Sequence, residues 1–320
     1  MTAERPLVLS LALPGPGPDV WLAEHLAGQY DKWASGASGS PVSVDGIVAN
    51  GAEVLAAAHR RLVAAGTPAP AAAIYLAGWF GGALADATGF VLAAAGAGLL
   101  VDPGTVRLTL HPGGWPERVH PAPRVVVAGD HPWAARPPAP ETGAEVTVVE
   151  RPEQVVRAAV EALVATATPL VEACRGLARV GRAGLWNEIG DRLGAALAFV
   201  QLDLPVTPAM VRILAAATSA PGVPWRARPR LGFAASALLG RVHVVQKGGC
   251  CLAYTAPPPS PEDAGRMDDE RGFADLPGTP HYCSTCSFRP AGDCDARQIL
   301  WLEQEHARRL APNPIGGHSP

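Results

Sequence analysis

AAAIYLAGWFGGALADATGFVLAAAGAGLLV, residues 71–101, is the stretch on which the fold turns, because 31 consecutive residues carry one charge, Asp86. A bilayer span needs about 20 apolar residues, and Asp86 splits this run into two halves of 15. A carboxylate at the bilayer centre costs roughly 2.5 to 3.5 kcal/mol, and Ala and Gly return little transfer energy against it. The run is therefore read as two buried core helices meeting near residues 87–89, not as a transmembrane hairpin.

On the N-terminal side, Ile47, Val54, Leu55 and Leu62 recur near helical spacing, which predicts a helix over 44–65 stopped by the Gly/Pro-containing residues 66–70. Further upstream, residues 14–18 (PGPGP) and 34–41 (ASGASGSP) read as flexible linkers around a short amphipathic piece at 19–33. On the C-terminal side, strand-like alternation at 105–111, 124–128 and 145–150 fits a small antiparallel sheet joined by Pro/Gly-rich connections. Helical patterning then dominates: Pro152 suits a first helical position, and further helices are predicted over 169–179, 183–202 and 208–218. The expected fold class is α+β: a mainly helical body with a small antiparallel sheet and a C-terminal cysteine-rich segment. The expected divisions are a flexible segment at 1–43, the body at 44–240 and the cysteine segment at 241–320.

Composition excludes several function classes. Hydrophobic residues make up 48% and charged residues 17%, so a sizeable core is available and wholesale disorder is excluded. A formal net charge of -3 supplies no basic field for a phosphate backbone, so no nucleic-acid partner is expected. No Gly-rich phosphate loop, nucleophile elbow or internal repeat is visible.

Four of the six cysteines lie within residues 250–286, in VHVVQKGGCCLAY (242–254) and HYCSTCSFRPAGDC (281–294). The first residues carry Glu4 and a short apolar stretch ending at a Pro/Gly run, which predicts no secretory leader. In a reducing cytosol, clustered cysteines are better read as metal ligands than as disulfides. Four thiolates suffice for structural zinc or for a [2Fe-2S] cluster. Zinc sites pair two Cys-x(2–4)-Cys units, whereas one half here is the vicinal pair Cys250-Cys251, which favours iron and sulfur. The plainer reading, that Cys250 and Cys251 are buried thiols at a strand end, stays open at this point.

A strand, a basic residue, Cys-Cys-Leu-x-Tyr and then Tyr-Cys-x-x-Cys, over residues 242–286, resembles the C-terminal cluster-binding segment of the FhuF-type siderophore ferric reductases. Gly184-Leu185-Trp186-Asn187 is similar to an element of that family and of the C-terminal region of siderophore synthetases, while the helical body resembles it only loosely. The resemblance implies that Cys250, Cys251, Cys283 and Cys286 hold one [2Fe-2S] cluster. It implies a cytoplasmic oxidoreductase that reduces Fe(III) bound to a siderophore, of the hydroxamate class, and so releases Fe(II). The implied partners are the ferric siderophore and an electron donor such as a ferredoxin or flavoprotein reductase, with at most peripheral membrane association. No acid, base or nucleophile is needed, in keeping with the absence of such a constellation. The rival readings are a [2Fe-2S] electron-relay or redox-sensing protein without siderophore substrate, and a zinc-stabilised siderophore-binding protein.

The sequence departs from the family pattern in two places. Thirty-one residues separate Cys251 from Cys283, more than the family has, and the acidic, Pro-rich residues 257–280 fill most of that interval. Lengthening a flexible loop costs only about 0.6 kcal/mol per doubling, so ligation by both halves survives it. Ser287 stands where the family commonly has Pro. Cys294 ranks as a substitute ligand and Cys174 as a buried apolar residue. His281 invites a Rieske comparison, but no second His has matching spacing. Trp186 and Asn187 are candidates for shaping a pocket, and Arg124, Arg241 and Lys247 for meeting an anionic chelate.

Overall fold

The computed structural model describes residues 17–30, 39–135, 143–198, 200–202, 204–252, 255 and 282–310. The fold is α+β and mainly helical. Within 71–101 there is one helix where two were expected: α3 (Ala69–Phe90) runs on through a π-helical turn at Val91–Ala95 and stops at Gly96, in the left-handed conformation, before the chain enters a short strand. No break falls at 87–89, because Gly81 and Gly89 there serve close packing. A Cβ on Gly81 would stand 2.5 Å from the Ile189 side chain, and one on Gly89 2.8 Å from the Leu193 carbonyl. Both neighbours belong to α6 (Arg182–Gly194), which lies tightly along α3.

Two helical stretches, Ala69–Ala95 and Pro152–Leu177, are long and apolar enough to cross a membrane by length and composition, but the most apolar part of the first is 94% buried inside the protein. Asp86 is accommodated there by an ion pair with Arg192 of α6. Burial pushes its carboxyl up to about 6, against the pull of Arg192. The unfolded value is near 3.9, so the folded chain binds this proton more tightly. The resulting stability is full below about pH 4 and is lost as pH rises through about 6. Asp86→Asn is expected to flatten that slope in urea unfolding, by up to about 3 kcal/mol; an unchanged slope between the two pH values rejects the assignment.

Helix α2 (Val44–Ala64) matches expectation, with Ser43 capping it through the Gly46 N–H at 3.1 Å. The amphipathic piece expected between linkers is helix α1 (Pro18–Tyr30), and it is docked on the body: Trp21, Leu22 and Leu26 are buried, and Trp21 stacks on Phe90. The expected break before residue 169 is also corrected. Helix α5 (Pro152–Leu177) continues through Pro169. An interior proline costs about 3 kcal/mol, and the buried stripe Leu163, Ala167, Leu170, Val171 and Cys174, on both sides of it, holds the helix together. Helix α6 ends at Gly194, short of the expected 202, and α7 (Pro208–Thr218) lies where patterning placed it.

Among the described residues, three sheets stand in place of the single small antiparallel sheet. Strands β1 (Val42–Ser43), β3 (Arg107–Leu110) and β4 (Pro116–His120) form one antiparallel sheet. Strand β2 (Gly98–Leu99) runs antiparallel to β5 (Arg124–Ala128), which pairs in parallel with β6 (Glu145–Val149). Strands β7 (Arg230–Ser236) and β8 (Gly240–Gln246) form a hairpin. A short helix, α4 (Pro132–Ala135), follows β5, and a helix that patterning did not predict, α8 (Ala291–Leu310), packs on the hairpin. Its buried Cys294, Gln298 and Leu302 recur every fourth residue, the spacing of one helix face. Leu302 meets Val242 and Val244 of β8.

Candidate functional site

The cysteine-bearing chain leaves β8 and turns over α6, and two glycines allow the approach. A Cβ on Gly248 would stand 2.3 Å from the Arg228 carbonyl, and one on Gly249 2.6 Å from the Asn187 Cβ. Asp191 of α6 pins this segment: its Oδ1 accepts from the Gly248 N–H at 2.8 Å and its Oδ2 from the Gly249 N–H at 3.0 Å. On the other side the Lys247 N–H donates to the Thr285 carbonyl at 2.8 Å, and the Ser287 hydroxyl to the Gly249 carbonyl at 3.2 Å. Gln246 adds a bond to the Arg289 carbonyl at 2.7 Å. Ser287 thus ties the two cysteine segments to each other.

These contacts bring the four expected cysteines together. Cys251, Cys283 and Cys286 lie near enough to shift one another's thiols, and Cys250 and Cys251 lie close enough to Cys286 to raise it by charge repulsion. The neighbouring Cys283 thiol and burial raise Cys251 well above the ordinary thiol value, while the Cys283 thiol on its other side brings Cys286 down to about 7. Leu252 adopts a left-handed backbone, φ 59°, which turns its N–H toward Cys250 Sγ at 3.4 Å. The Phe288 N–H meets Cys286 Sγ at 3.5 Å. Backbone donors of this kind favour thiolates. Among the described residues, no group of three or more His, Cys, Asp or Glu side chains is placed so as to hold a metal ion.

Lys247 is the cation of the site. Burial alone would pull its ammonium down, but the Glu188 carboxylate at 2.7 Å, with Cys251 and Cys283 nearby, holds it charged and above its ordinary value. A cleft of about 390 Å³ opens on this group, lined by Tyr75, Trp79 and Trp115 on one side and by Glu188, Arg192, Lys247, Cys251 and Cys283 on the other. The aromatic wall is continuous: Tyr75 stacks with Trp79 at 6.4 Å, Trp79 meets Trp115 edge-on at 6.3 Å, and His111 stacks on Trp115 at 3.8 Å.

The remaining candidates are placed as follows. Cys294 is buried on α8 and donates to the Cys286 carbonyl at 3.3 Å, so it supports the Cys-x-x-Cys turn. Cys174 is fully buried, and its thiol is pushed up to about 12 by that burial. Trp186 is a core residue. Asn187 lies outside the cleft lining; its Oδ1 accepts from the Arg226 and Ala227 N–H groups at 3.0 and 3.1 Å. Of the three cations considered, only Lys247 lines the cleft: Arg124 pairs with Glu145 and Arg241 covers the Phe233 ring. His243 is buried in β8 and bonded to the Gly232 carbonyl. His281 and the insert 257–280 lie outside the described residues.

Sequence reasoning missed Glu188, Asp191 and Arg192 on α6, and Tyr75, Trp79 and Trp115. Polar residues at 187, 188, 191 and 192 recur on one helical face and read as solvated; the cysteine segment buries that face. Neither a family model, nor a curated protein, nor a solved structure matches this chain.

Proposed function

We propose that this chain is a cytoplasmic [2Fe-2S] ferric-siderophore reductase, with Cys250, Cys251, Cys283 and Cys286 as ligands. The observation that carries the reading is the cleft: two of the four thiols and a buried ammonium face an aromatic-walled opening large enough for part of a metal chelate. The donor chemistry fits the group. Four soft thiols lie on two short segments, two of them with backbone N–H groups aimed at sulfur. The vicinal pair Cys250-Cys251 suits the spread attachment points of a two-iron group better than the single tetrahedron of zinc.

When bound, a [2Fe-2S] group supplies one-electron exchange at a potential set by charge, hydrogen bonds and exposure. The chain's own residues set those terms. Lys247 places positive charge beside Cys251 and Cys283, and Glu188 holds it there. Tyr75, Trp79 and Trp115 hold the chelate against that edge and exclude water. Hard oxygen ligands bind Fe(III) far more tightly than Fe(II), so a single added electron turns a locked substrate into one that releases its metal.

Anaerobic titration of the chemically reduced protein with a ferric hydroxamate tests the reading. Stoichiometric Fe(II) formation is expected, and its absence with the colour unchanged supports the relay or sensor reading instead. Charge variants give a second test. Lys247→Met is expected to lower the midpoint potential and Glu188→Gln to raise it, about 59 mV for each tenfold change in the equilibrium. Shifts of the same sign in both variants would point to a merely structural pair.

A further inference from the structure

Every residue from 71 to 99 is buried except Tyr75 and Trp79, which are half-buried and stand one helical turn apart on α3. Both line the cleft. Trp115, in the turn between β3 and β4, extends the same wall and is 38% exposed, with His111 stacked on it at 3.8 Å and holding its plane. Burial of large aromatic side chains is favourable, yet the fold keeps three of them partly open around one cleft. A flat ring brought by a ligand would gain that area, and stacked or edge-to-face contact with it.

The charged side of the cleft is polarised. In the Lys247–Glu188 pair the cation's side chain is 18% exposed and the carboxylate's 6%; in the Arg192–Asp86 pair the values are 33% and 8%. Both cations therefore front the opening with a more buried carboxylate behind each, and Asp86 is not among the lining residues. An ammonium carries three N–H donors, and among the described residues Lys247 directs one of them to Glu188, at 2.7 Å. A ligand entering here meets aromatic rings on one wall and cationic donors on the other.

We infer that the chelate enters this cleft through an aryl oxyanion arm, a catecholate ring that packs on Tyr75, Trp79 and Trp115 and turns its oxygens to Lys247 and Arg192. The inference rests on the function proposed above for the presence of a chelate, and departs from the hydroxamate class that the sequence resemblance implies. Three hydroxamates on Fe(III) make a neutral complex with aliphatic arms, which uses neither the open rings nor the outward cations. A catecholate arm uses both: its ring matches the aromatic wall, and its two negative oxygens accept charge-assisted hydrogen bonds from ammonium and guanidinium groups. A cleft of about 390 Å³ has room for such an arm.

Calorimetry with gallium(III) complexes of a hexadentate tris-catecholamide and of a linear trihydroxamate is the test, since gallium(III) stands in for Fe(III) without taking up an electron. The full-length protein is expected to bind the tris-catecholamide complex at least about tenfold more tightly at low salt, the size of one charged hydrogen bond, and the preference is expected to shrink as salt rises. Lys247→Met is expected to lose most of the preference and Lys247→Arg to keep it. Trp115→Leu is expected to weaken tris-catecholamide binding about threefold to tenfold and trihydroxamate binding less. An unchanged urea midpoint shows that a variant is folded; should Lys247→Met fall short of it, Arg192→Gln reads the same loss of charge. Equal affinity for the two complexes in the parent, or a preference that survives in Lys247→Met and Arg192→Gln alike, overturns the ligand class. Failure of the functional reading shows separately: a colourless parent that still prefers the tris-catecholamide complex would defeat the reductase and leave the ligand class standing.

Discussion

Replacing Cys250, Cys251, Cys283 or Cys286 singly with Ser is expected to remove most of the visible colour and bound iron of the purified protein, whereas Cys294→Ser keeps both. The contrast follows from where the five sulfurs stand. The first four lie on the two segments that Asp191 and Ser287 tie together, near enough to shift one another's thiols. Cys294 instead donates from α8 to the Cys286 carbonyl. Its replacement by Ser preserves a donor of similar size, so the Cys-x-x-Cys turn keeps its support. Visible absorbance and iron content of freshly purified variants measure this directly. Zinc in place of iron would leave the parent colourless and support the zinc-stabilised alternative. Bleaching by Cys294→Ser with retention of colour in Cys250→Ser would overturn the ligand assignment.

Asp191→Ala is expected to destabilise the folded chain by roughly 2 to 6 kcal/mol, since each buried donor left without an acceptor costs about 1 to 3 kcal/mol. Against a total stability of about 5 to 15 kcal/mol, that is a large share. Two donors are orphaned together, the N–H groups of Gly248 and Gly249. The lower part of the range is expected, because burial of the Asp191 carboxylate is itself unfavourable and raises its pKa to about 7. Asp191→Asn keeps one acceptor oxygen and turns an amide donor toward the other N–H, so an intermediate loss is expected. Urea unfolding measures the order Asp, Asn, Ala. Iron content should fall in the same order, because Gly248 and Gly249 lead straight into Cys250. Loss of stability with full iron content would show that Asp191 braces the body and not the cysteine segment.

The readable parts of the fold were those fixed by local pattern. Helices α2 and α7 and the strands at 124–128 and 145–149 follow from periodicity and flanking turn residues. The failures came where tertiary contacts override local signals. Pro169 reads as a helix start until Leu163, Ala167, Leu170 and Val171 are seen buried on both sides of it. The parallel pairing of β5 with β6 depends on how the intervening chain crosses, which alternation does not encode. Helix α8 was hidden by the polar residues along its surface, and only the hairpin opposite gives its narrow buried stripe a purpose.

The candidate site divides in the same way. The cysteines could be singled out because thiols at Cys-Cys and Cys-x-x-Cys spacing have few structural reasons to occur together, and Lys247 because it is a cation three residues before Cys250. Glu188, Asp191 and Arg192 could not be, since carboxylates and guanidinium groups on a helix are ordinarily solvated and nothing local says that a chain some 57 residues later will cover them. The sequence by itself determined which thiols cluster along the chain and that residues 71–101 belong to a core. Only the tertiary structure decided what surrounds those atoms, because a cleft and a charged neighbour arise from segments far apart in the chain. α3 brings the aromatic wall, α6 the carboxylates, and Gly248 and Gly249 let the cysteine segment lie close enough to meet both.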